Sequence, residues 1–549
     1  MSHFKFPLMI FLSTLAFITF SRFFIFQIDL TEDKRYTLSE ETLNQIQKIK
    51  NPLKIDVFLS GNIPSKYLKF RNELDFILNR IKSYNKNIFL NYINPLEFEK
   101  TDATVNEMIQ FGLPPEIVRE NKNGNIKQSL IFPWLVINYG KKSEKIQLLQ
   151  KKLGDNENEK IIRSLEQLEY KILDGLHKVI LKEKKNIAIL TSHDTTKNIK
   201  ITDLLQNLKP YYNLGSFDLK NKDVTPKKTL ENLKRFDLLV ISNPKNSFSQ
   251  KEKYIIDQFS LNGGKLLWMI NGVTINRDSL FNKYGKAYSV EKKLNLEDYF
   301  FNLGIRIQKK LVKDLYCAPI VLANGQENNT QYIPYPWPYN PLTEPENFVI
   351  GKNLGPVLFQ FASPIDTLEN QLSKTLLIKS SNFTKTSTTP SIVELTEAIN
   401  EIKQNEFKNV SKDFGYLIEG KQKSLFTNRI KPFNLENEIS YGLVKSIIFS
   451  DGNIAENQID KGSPLSLGYD KWTNNYYSNK DLIINSIHYL VNNNDRLILR
   501  DKNLKVNSLD KIKIKKYGSL WKWFMLIIPL LIGLLIGFVI QFLRLRNRS

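Results

Sequence analysis

Two long apolar stretches stand near the two ends of the chain, at residues 6–28 and 520–543. Each reaches the roughly 20 apolar residues that a helix needs to cross a bilayer. No small-residue cleavage site follows the first stretch, so it predicts an uncleaved anchor rather than a signal peptide. The pattern therefore predicts two transmembrane helices with folded residues between them.

Between the anchors, the apolar positions first follow a mixed strand and helix pattern. Apolar runs at residues 52–60 and 87–95 predict strands, and residues 65–84 carry apolar side chains at helical spacing. A short helix near 102–111, two strands and a helix over 156–181 follow. This order, β-α-β-α-β-β-α, predicts a thioredoxin-like domain at residues 45–183. The region contains no cysteine, so thiol redox chemistry is excluded.

A different pattern begins at residue 186. Residues 187–191 form a nearly continuous apolar run, which is typical of a strand buried on both faces of a parallel sheet. Strands and helices then alternate with short connections, and this predicts a doubly wound α/β domain. No linker interrupts the chain, so we assign residues 186–505 to one domain. Residues 330–345, rich in proline and aromatic residues, are predicted to form a loop.

The glycine pair Gly263-Gly264 lies between a predicted helix and the strand that follows it. Ser249 is placed to cap the start of that helix, and a glycine just past its end is typical of a C-terminal turn. Glycines that bind phosphate lie at the opposite junction, after a strand and before a helix. The pair is therefore predicted to turn the chain rather than to hold a ligand.

The composition adds a formal net charge of +22 and a single cysteine, Cys317. The lysines are scattered among residues with A/T-rich codons, and no basic helix with interleaved aromatics occurs, so we predict no nucleic-acid partner. One cysteine forms neither an intramolecular disulfide nor a cysteine-based zinc site.

The charges that flank the two anchors predict their orientation. Two spans place both termini on the same side of the membrane, and the basic tail at residues 544–549 favours the cytoplasmic side. The lysines at 511–516 flank the second anchor on the other side and argue against this orientation.

Five segments in order resemble one known family. They are IDLTEDKRYTLSEETLNQI, VISNPKNSFSQKEKYIIDQFSLNGGKLLWMI, GYLIEGKQKSLFTNR, IIFSDGNIAENQ and LGYDKWTNNYYSNKDLIINSIHYL. The chain resembles, over nearly its whole length, the GldG family of gliding-motility ABC-transporter accessory proteins of Bacteroidota. The resemblance implies a two-pass protein of the bacterial inner membrane with a periplasmic middle region. It also implies the permease GldF and the ATPase GldA as partners, and a degenerate class I amidotransferase-like second domain. The family has no established catalytic residues to transfer.

A polar loop follows the first strand of the second domain. Ser192, His193, Asp194 and Thr195 lie where open α/β sheets bind ligands, beyond the carboxyl end of a strand. They are candidates for a ligand-binding pocket. The alternative is a capped loop in which Asp194 or Thr195 starts the next helix.

Asp451 and Asn453 follow another predicted strand, with Glu456 close behind. Their oxygens could contact a ligand or a cation. The alternative is ordinary turn chemistry, which the Asp-Gly-Asn sequence favours.

Two further groups are candidates for contact with partners. Tyr335, Trp337 and Tyr339 could present rigid aromatic anchors to a partner, or they could fill the core of their own domain. Gly533 and Gly537 form a G-x-x-x-G pattern that lets membrane helices pack closely, against a permease helix or in a homodimer.

Motifs of known enzymes are missing from the sequence. We find no G-x-S-x-G or G-x-C-x-G elbow, no Walker A loop and no EF-hand loop, and Cys317 lies in a predicted strand. We therefore predict a non-catalytic protein without cofactor or metal, anchored twice in the membrane beside a separate permease and ATPase. The alternative is a membrane-tethered hydrolase or amidase with a site near His193.

Overall fold

The computed structural model describes residues 37–97, 102–122, 125–149, 156–181, 183–325, 330–491 and 511–546. The described residues form two compact units, one before residue 504 and one after it. The predicted anchor at 6–28 lies outside the described residues, and so does the end of the predicted second domain, residues 492–505.

The first part of the chain builds a four-stranded sheet with helices packed on it. Its elements are α1 Glu40–Gln47, β1 Leu53–Val57, α2 Ser65–Tyr84, β2 Ile88–Tyr92, α3 Asp102–Gln110, β3 Glu116–Lys122, β4 Asn125–Ile131, β5 Trp134–Tyr139, β6 Lys142–Gln147, α4 Glu157–Glu166 and α5 Leu168–Ile180.

The strand order in this sheet is β2-β1-β5-β6. β1 and β2 are parallel, whereas β5 runs antiparallel to β1 and to β6. Leu53, Ile55 and Val57 alternate along β1 and are buried against apolar residues of α2 and α5, as the two-residue period of a strand requires. β3 and β4 form a separate two-stranded hairpin.

The larger part of the chain begins at β7 and contains many short elements. They are β7 Lys185–Leu190, α6 Asn198–Leu208, β8 Tyr212–Phe217, α7 Pro226–Leu233, β9 Leu238–Ser242, α8 Gln250–Leu261, β10 Lys265–Met269, β11 Val273–Ile275, β12 Lys286–Glu291, α9 Glu297–Asn302, β13 Ile305–Ile307, β14 Lys310–Asp314, β15 Cys317–Asn324, β16 Gln331–Thr343, β17 Val357–Leu358, β18 Ile365–Thr367, β19 Ser373–Lys379, β20 Phe383–Thr388, β21 Ser391–Glu394, α10 Thr396–Ile399, β22 Lys408–Asn409, β23 Asp413–Lys423, β24 Tyr441–Phe449, β25 Ile459–Asp460, β26 Ser463–Pro464, β27 Tyr469–Asp470, β28 Asn475–Tyr476 and α11 Asn479–Leu490. Among the described residues, 3₁₀ turns lie at Arg277–Phe281 and Gln404–Glu406.

A seven-stranded sheet forms the centre of this region, in the order β19-β23-β24-β10-β9-β7-β8. The five strands from β24 to β8 are parallel, and β23 runs antiparallel to β24 and to β19. All five residues of β9 are buried, and its four apolar residues pack alternately into one apolar cluster on each face. Both faces are therefore covered, as expected for a sheet built from crossover helices.

Three predicted elements differ from the structure. The helix predicted over 156–181 is two helices, because Gln167 leaves the helical conformation between α4 and α5. The apolar run before Tyr139 is two strands, because residues 132 and 133 interrupt it. The loop predicted at 330–345 is wrong: residues Gln331–Thr343 form β16, which pairs with β15.

The second unit consists of one helix, α12, at Lys511–Arg546. Residues Tyr517–Val539 have a mean hydropathy of 2.3 and none of this segment is buried. In the described part of the chain this is the one helix that is long and apolar enough to span a membrane.

Candidate functional site

The carboxyl ends of four neighbouring parallel strands meet at one edge of the central sheet. β7, β9, β10 and β24 lie side by side, and the residues that follow them include His193, Asn243, Asn271 and Asp451. β8 lies on one side of β7 in the sheet, and the next strand, β9, lies on the other side. The direction in which successive strands are added therefore reverses between β7 and β9. Open α/β sheets bind their ligands at such a reversal. We call the polar residues after these four strands the carboxyl-edge cluster.

His193 lies at one end of this cluster, and its side chain is enclosed. Its side chain is 0% exposed, and its ring stacks on Phe248 with 3.8 Å between the ring centroids. Nδ1 lies 2.9 Å from Ser192 Oγ, and Nε2 lies 3.2 Å from Glu252 Oε2. The histidine therefore ties the loop after β7 to the first turn of α8.

Glu252 is held in a capping box at the start of α8. The backbone N–H of Ser249 donates to Glu252 Oε2 at 2.6 Å, while Ser249 Oγ accepts from the backbone N–H of Glu252. Burial acts to raise the pKa of Glu252, but hydrogen bonds from His193 and Ser249 outweigh it and lower the pKa below its usual value. Glu252 is therefore ionised at neutral pH and accepts hydrogen bonds from both residues.

Ser192, His193 and Glu252 have the connectivity of a nucleophile, a base and an orienting carboxylate. However, the histidine ring is sealed under Phe248, and Ser192 Oγ also accepts a hydrogen bond from the backbone N–H of Leu219 at 3.2 Å. His193 and Asp194 both adopt positive φ angles, of 66° and 49°. The predicted helix start at Asp194 or Thr195 is wrong, because α6 begins at Asn198 with Lys197 as its N-cap.

The remaining residues of this loop also bond within the protein. Thr195 Oγ1 donates to the carbonyl of Leu190 at 2.8 Å, and Asp194 Oδ2 accepts from Lys245 Nζ at 3.3 Å. The backbone N–H groups of Lys245 and Asn246 both donate to the carbonyl of His193. The loops after β7 and β9 are thus joined across the strand reversal.

Asp451 lies at the other end of the carboxyl-edge cluster and is fully buried. Its Oδ1 accepts from the backbone N–H of Asn453 at 2.7 Å, and its Oδ2 accepts from the backbone N–H of Gln360 at 2.7 Å. Burial raises the pKa of Asp451 to about 7, although these hydrogen bonds act in the opposite direction. The bond from Asn453 is the Asx turn that the Asp-Gly-Asn sequence favours.

Amide side chains fill the space between the two ends of the cluster. Asn243 Nδ2 donates to Asn453 Oδ1 at 2.9 Å, and Lys292 Nζ donates to Asn243 Oδ1 at 2.7 Å. A Cβ atom added to Gly452 would lie 2.6 Å from atoms of Asn243 and Asn271, so the backbone is packed directly against these amides. Burial lowers the pKa of Lys292 to about 8, and the nearby charge of Lys245 acts in the same direction.

Sequence reasoning missed Asn243, Asn271 and Lys292. The first two directly follow buried strands, so the rule that pointed to His193 and Asp451 could have found them as well. Lys292 follows β12, which lies outside the central sheet, and no local pattern marks it. Glu456, named with Asn453, accepts from Thr196 Oγ1 and Lys200 Nζ, both at 3.1 Å.

The aromatic candidates lie elsewhere, on β16. Trp337 and Tyr339 are each 1% exposed and pack in an apolar cluster with Val273 and Leu280, whereas Tyr335 is partly exposed beside it. Tyr339 also donates to Glu397 Oε1 at 3.2 Å. Trp337 and Tyr339 therefore fill the core of their own domain, which is the second of the two alternatives that the sequence left open, and they are not accessible as partner anchors.

The other single residues occupy separate places. Cys317 begins β15, and burial raises the pKa of its thiol to about 12. His488 is buried on α11, where Nδ1 lies 2.5 Å from Tyr212 Oη. Gly533 and Gly537 lie on α12, and no atom comes within 4 Å of a Cβ added to either. No group of three or more potential metal ligands occurs among the residues that the structure describes.

Comparison with known proteins gives two family matches. Residues 184–486 match a family described as an ABC-type uncharacterized transport system, and residues 32–138 match a domain of unknown function, DUF7088. An uncharacterized protein of Borreliella burgdorferi is 23% identical over 470 residues, which cover 84% of each chain. A solved structure described as the mmIFT52 N-terminal domain aligns with a TM-score of 0.32 and 12% identity, covering 56% of this chain and 97% of that one. A TM-score this low establishes no common fold.

Proposed function

The chain belongs to the family of ABC-type transport-system auxiliary proteins, and on that premise we propose that it is a non-catalytic accessory subunit of an ABC transporter. Its permease and its ATPase are separate polypeptides, because the sequence carries no Walker A loop. The subunit binds a partner or a substrate, or it stands on the permease as a scaffold.

The observation that carries the non-catalytic role is the internal satisfaction of the carboxyl-edge cluster. The place where an α/β enzyme keeps its substrate is filled here by the contact between Asn243 and Asn453 and by the ring of His193 under Phe248. Their polar atoms bond to each other and to the backbone. These contacts support a domain that has the α/β sheet of an enzyme but works through its outer surface rather than through this edge of the sheet.

The more specific proposal is a role in gliding motility. The five segments that resemble the GldG family support it, and with it the permease GldF and the ATPase GldA as partners. The same resemblance supports a degenerate amidotransferase-like second domain. The order β2-β1-β5-β6, with β5 reversed, supports a thioredoxin-like first domain.

Two anchors are proposed to hold the subunit in the inner membrane with its folded region in the periplasm. The exposed apolar segment Tyr517–Val539 supports the second anchor, and the apolar residues 6–28 support the first. Both termini then lie in the cytoplasm, on the side of the ATPase.

Co-purification tests the accessory role. The full chain, tagged and extracted in mild detergent from its own host, is expected to bring the permease and the ATPase with it in fixed proportion. ATP hydrolysis by the complex should depend on an intact Walker A lysine of the ATPase. Recovery of the tagged chain without either protein would contradict the proposal.

The rival function, a tethered hydrolase or amidase, is favoured by one observation: the hydrogen-bonded series of Ser192, His193 and Glu252. Substitution by alanine separates the accessory role from the hydrolase role, and the positions to replace are Ser192, His193, Asp194 and Cys317. An accessory subunit keeps gliding in every variant that still accumulates in the membrane. Loss of gliding in Ser192→Ala, with normal folding and normal complex formation, would favour the hydrolase.

A further inference from the structure

Strand β2 forms one edge of the four-stranded sheet, and no strand in the described part of the chain pairs with its outer side. The ladder with β1 uses alternate residues: Leu53 N–H donates to the carbonyl of Asn87 at 2.8 Å, and Ile93 N–H donates to that of Val57 at 2.9 Å. The backbone groups of Leu90 and Tyr92 therefore point away from β1. No described residue supplies them with a backbone partner.

The two edges of this sheet differ in how they are protected. The opposite edge, β6, has the sequence KSEKIQ, and its lysines discourage pairing with another strand. β2 reads IFLNY and carries no charge and no proline. An uncharged, regular edge is a template for strand addition, and natural proteins block such edges unless they are used.

A surface depression lies beside this edge on one face of the sheet. Its volume is about 380 Å³, and Pro52, Lys54, Phe89 and Asn91 line it. Phe89 is 53% exposed and Tyr92 is 39% exposed, both large fractions for aromatic residues on a strand. Pockets next to an open edge accept alternate side chains of an added strand and give it specificity.

The charges near β2 indicate which charges the added strand should carry. Lys48, Lys50 and Lys86 are exposed at the end where β2 begins, and no ion pair involves them among the described residues. Asn87 Nδ2 bonds to the carbonyl of Lys50 at 3.1 Å, which holds the two lysine-bearing loops together. Lys54, beside the depression, is paired with Asp56 at 3.0 Å, so the basic character of this end comes from the three loop lysines.

We infer that β2 is the docking edge for an extended segment of the partner transport subunit, a segment with an apolar side chain for the depression and acidic residues for the basic end. The identity of the partner rests on the proposed function; the edge and its chemistry do not. A second copy of the chain is a poorer occupant, because its own β2 is uncharged and is flanked by the same lysines.

Phe89→Glu tests the inference. The glutamate removes the apolar contact and repels an acidic strand, because its register neighbour Lys54 is already paired with Asp56. We expect at least a tenfold loss of permease in co-purification from detergent, with an unchanged melting temperature of the chain. Ser143→Glu, an exposed position on β6, is the matched control and should leave co-purification unchanged.

Charge reversal and cross-linking complete the test. Lys50→Glu with Lys86→Glu should weaken the complex several-fold at low salt and less at high salt, where surface charges are screened. Benzoylphenylalanine at position 89 should form a photo-adduct with the permease. An adduct with a differently tagged copy of the chain, or none, would overturn the inference.

The two proposals fail in different ways. If the unmodified chain retains no permease or ATPase, the accessory role fails and the docking edge fails with it. If the unmodified complex forms and Phe89→Glu leaves it intact, only the docking edge is wrong.

Discussion

At the scale of single residues, two buried carboxyl groups at the carboxyl edge of the central sheet have pKa values shifted in opposite directions, because their hydrogen bonds differ. Glu252 stays charged because His193 and Ser249 donate to it, whereas the pKa of Asp451 rises to about 7 in a fully buried position. Both carboxyl groups lead to predictions about stability that can be tested without knowing the partner.

Asp451 makes the folded protein less stable as the pH rises. Its pKa is 3.8 before folding and about 7 in the folded state, so the folded state binds the extra proton between these values. The free energy of unfolding should therefore fall as the pH increases from about 4 to about 7, by about 1.4 kcal/mol per unit of pKa difference at most.

Asp451→Asn should remove this contribution to the slope, which urea unfolding at pH 5, 6 and 7 would measure. The pKa of Lys292 is lowered to about 8, so this lysine changes its charge above that pH range and does not contribute to the slope. The exposed Asp194→Asn serves as the control. An unchanged slope in Asp451→Asn would show that Asp451 does not titrate there.

His193→Ala should destabilise the chain by about 2–4 kcal/mol, because it removes a stacked ring and leaves the Glu252 carboxylate short of a donor. Thermal unfolding of the purified chain measures this. Lys245→Ala, with a side chain 52% exposed, should change stability by less than about 0.5 kcal/mol. Equal effects of the two substitutions would contradict the packing role of His193.

At the scale of secondary-structure elements, local chemistry explains where several helices and strands end. Ser249 caps α8 as predicted, and its backbone N–H donates a reciprocal bond to the Glu252 carboxylate. Gly263, just past the end of α8, has a φ of +88°, and its N–H donates to the carbonyl of Ser260. The turn predicted for the glycine pair is confirmed.

Gly263→Ala should therefore destabilise the chain by about 1–2 kcal/mol through backbone strain alone, because no atom lies within 4 Å of the added Cβ. Gly263→Asn should lose less stability than Gly263→Ala, since asparagine tolerates a positive φ. The midpoints of urea unfolding at constant slope measure both. A larger loss in the asparagine variant would contradict this account.

Strand β16 shows why one element was missed. Its prolines suggested a loop, yet Pro334, Pro336 and Pro338 are spaced by two, so their missing N–H groups all lie on the same edge of the strand. Proline is compatible with a strand when the ladder does not need that edge. The period of two was visible in the sequence and could have predicted a strand.

At the scale of the whole molecule, the alternation of strands and helices from β7 to β10 could be predicted, because apolar runs and caps are local signals. The neighbours in the sheet could not. β24 lies beside β10 although more than 170 residues separate them, so no local pattern places Asp451 near Asn243. For the same reason, the two polar loops were predicted as separate candidates rather than as one cluster.

The proposed membrane topology can be tested on the whole molecule. Alkaline phosphatase fused after Asn324 should be active, because the enzyme folds only outside the cytoplasm and the middle region is proposed to be periplasmic. A fusion after Arg546 should be inactive. The reverse pattern would invert the proposed orientation.

The half-buried position of Cys317 has a practical consequence for experiments on the intact chain. It is the sole cysteine, and with a pKa of about 12 its sulfur is almost entirely protonated under ordinary labelling conditions. A thiol introduced on the surface would therefore react with maleimide dyes far faster than the native one. Distances within the working complex can be followed by fluorescence without first removing any natural residue.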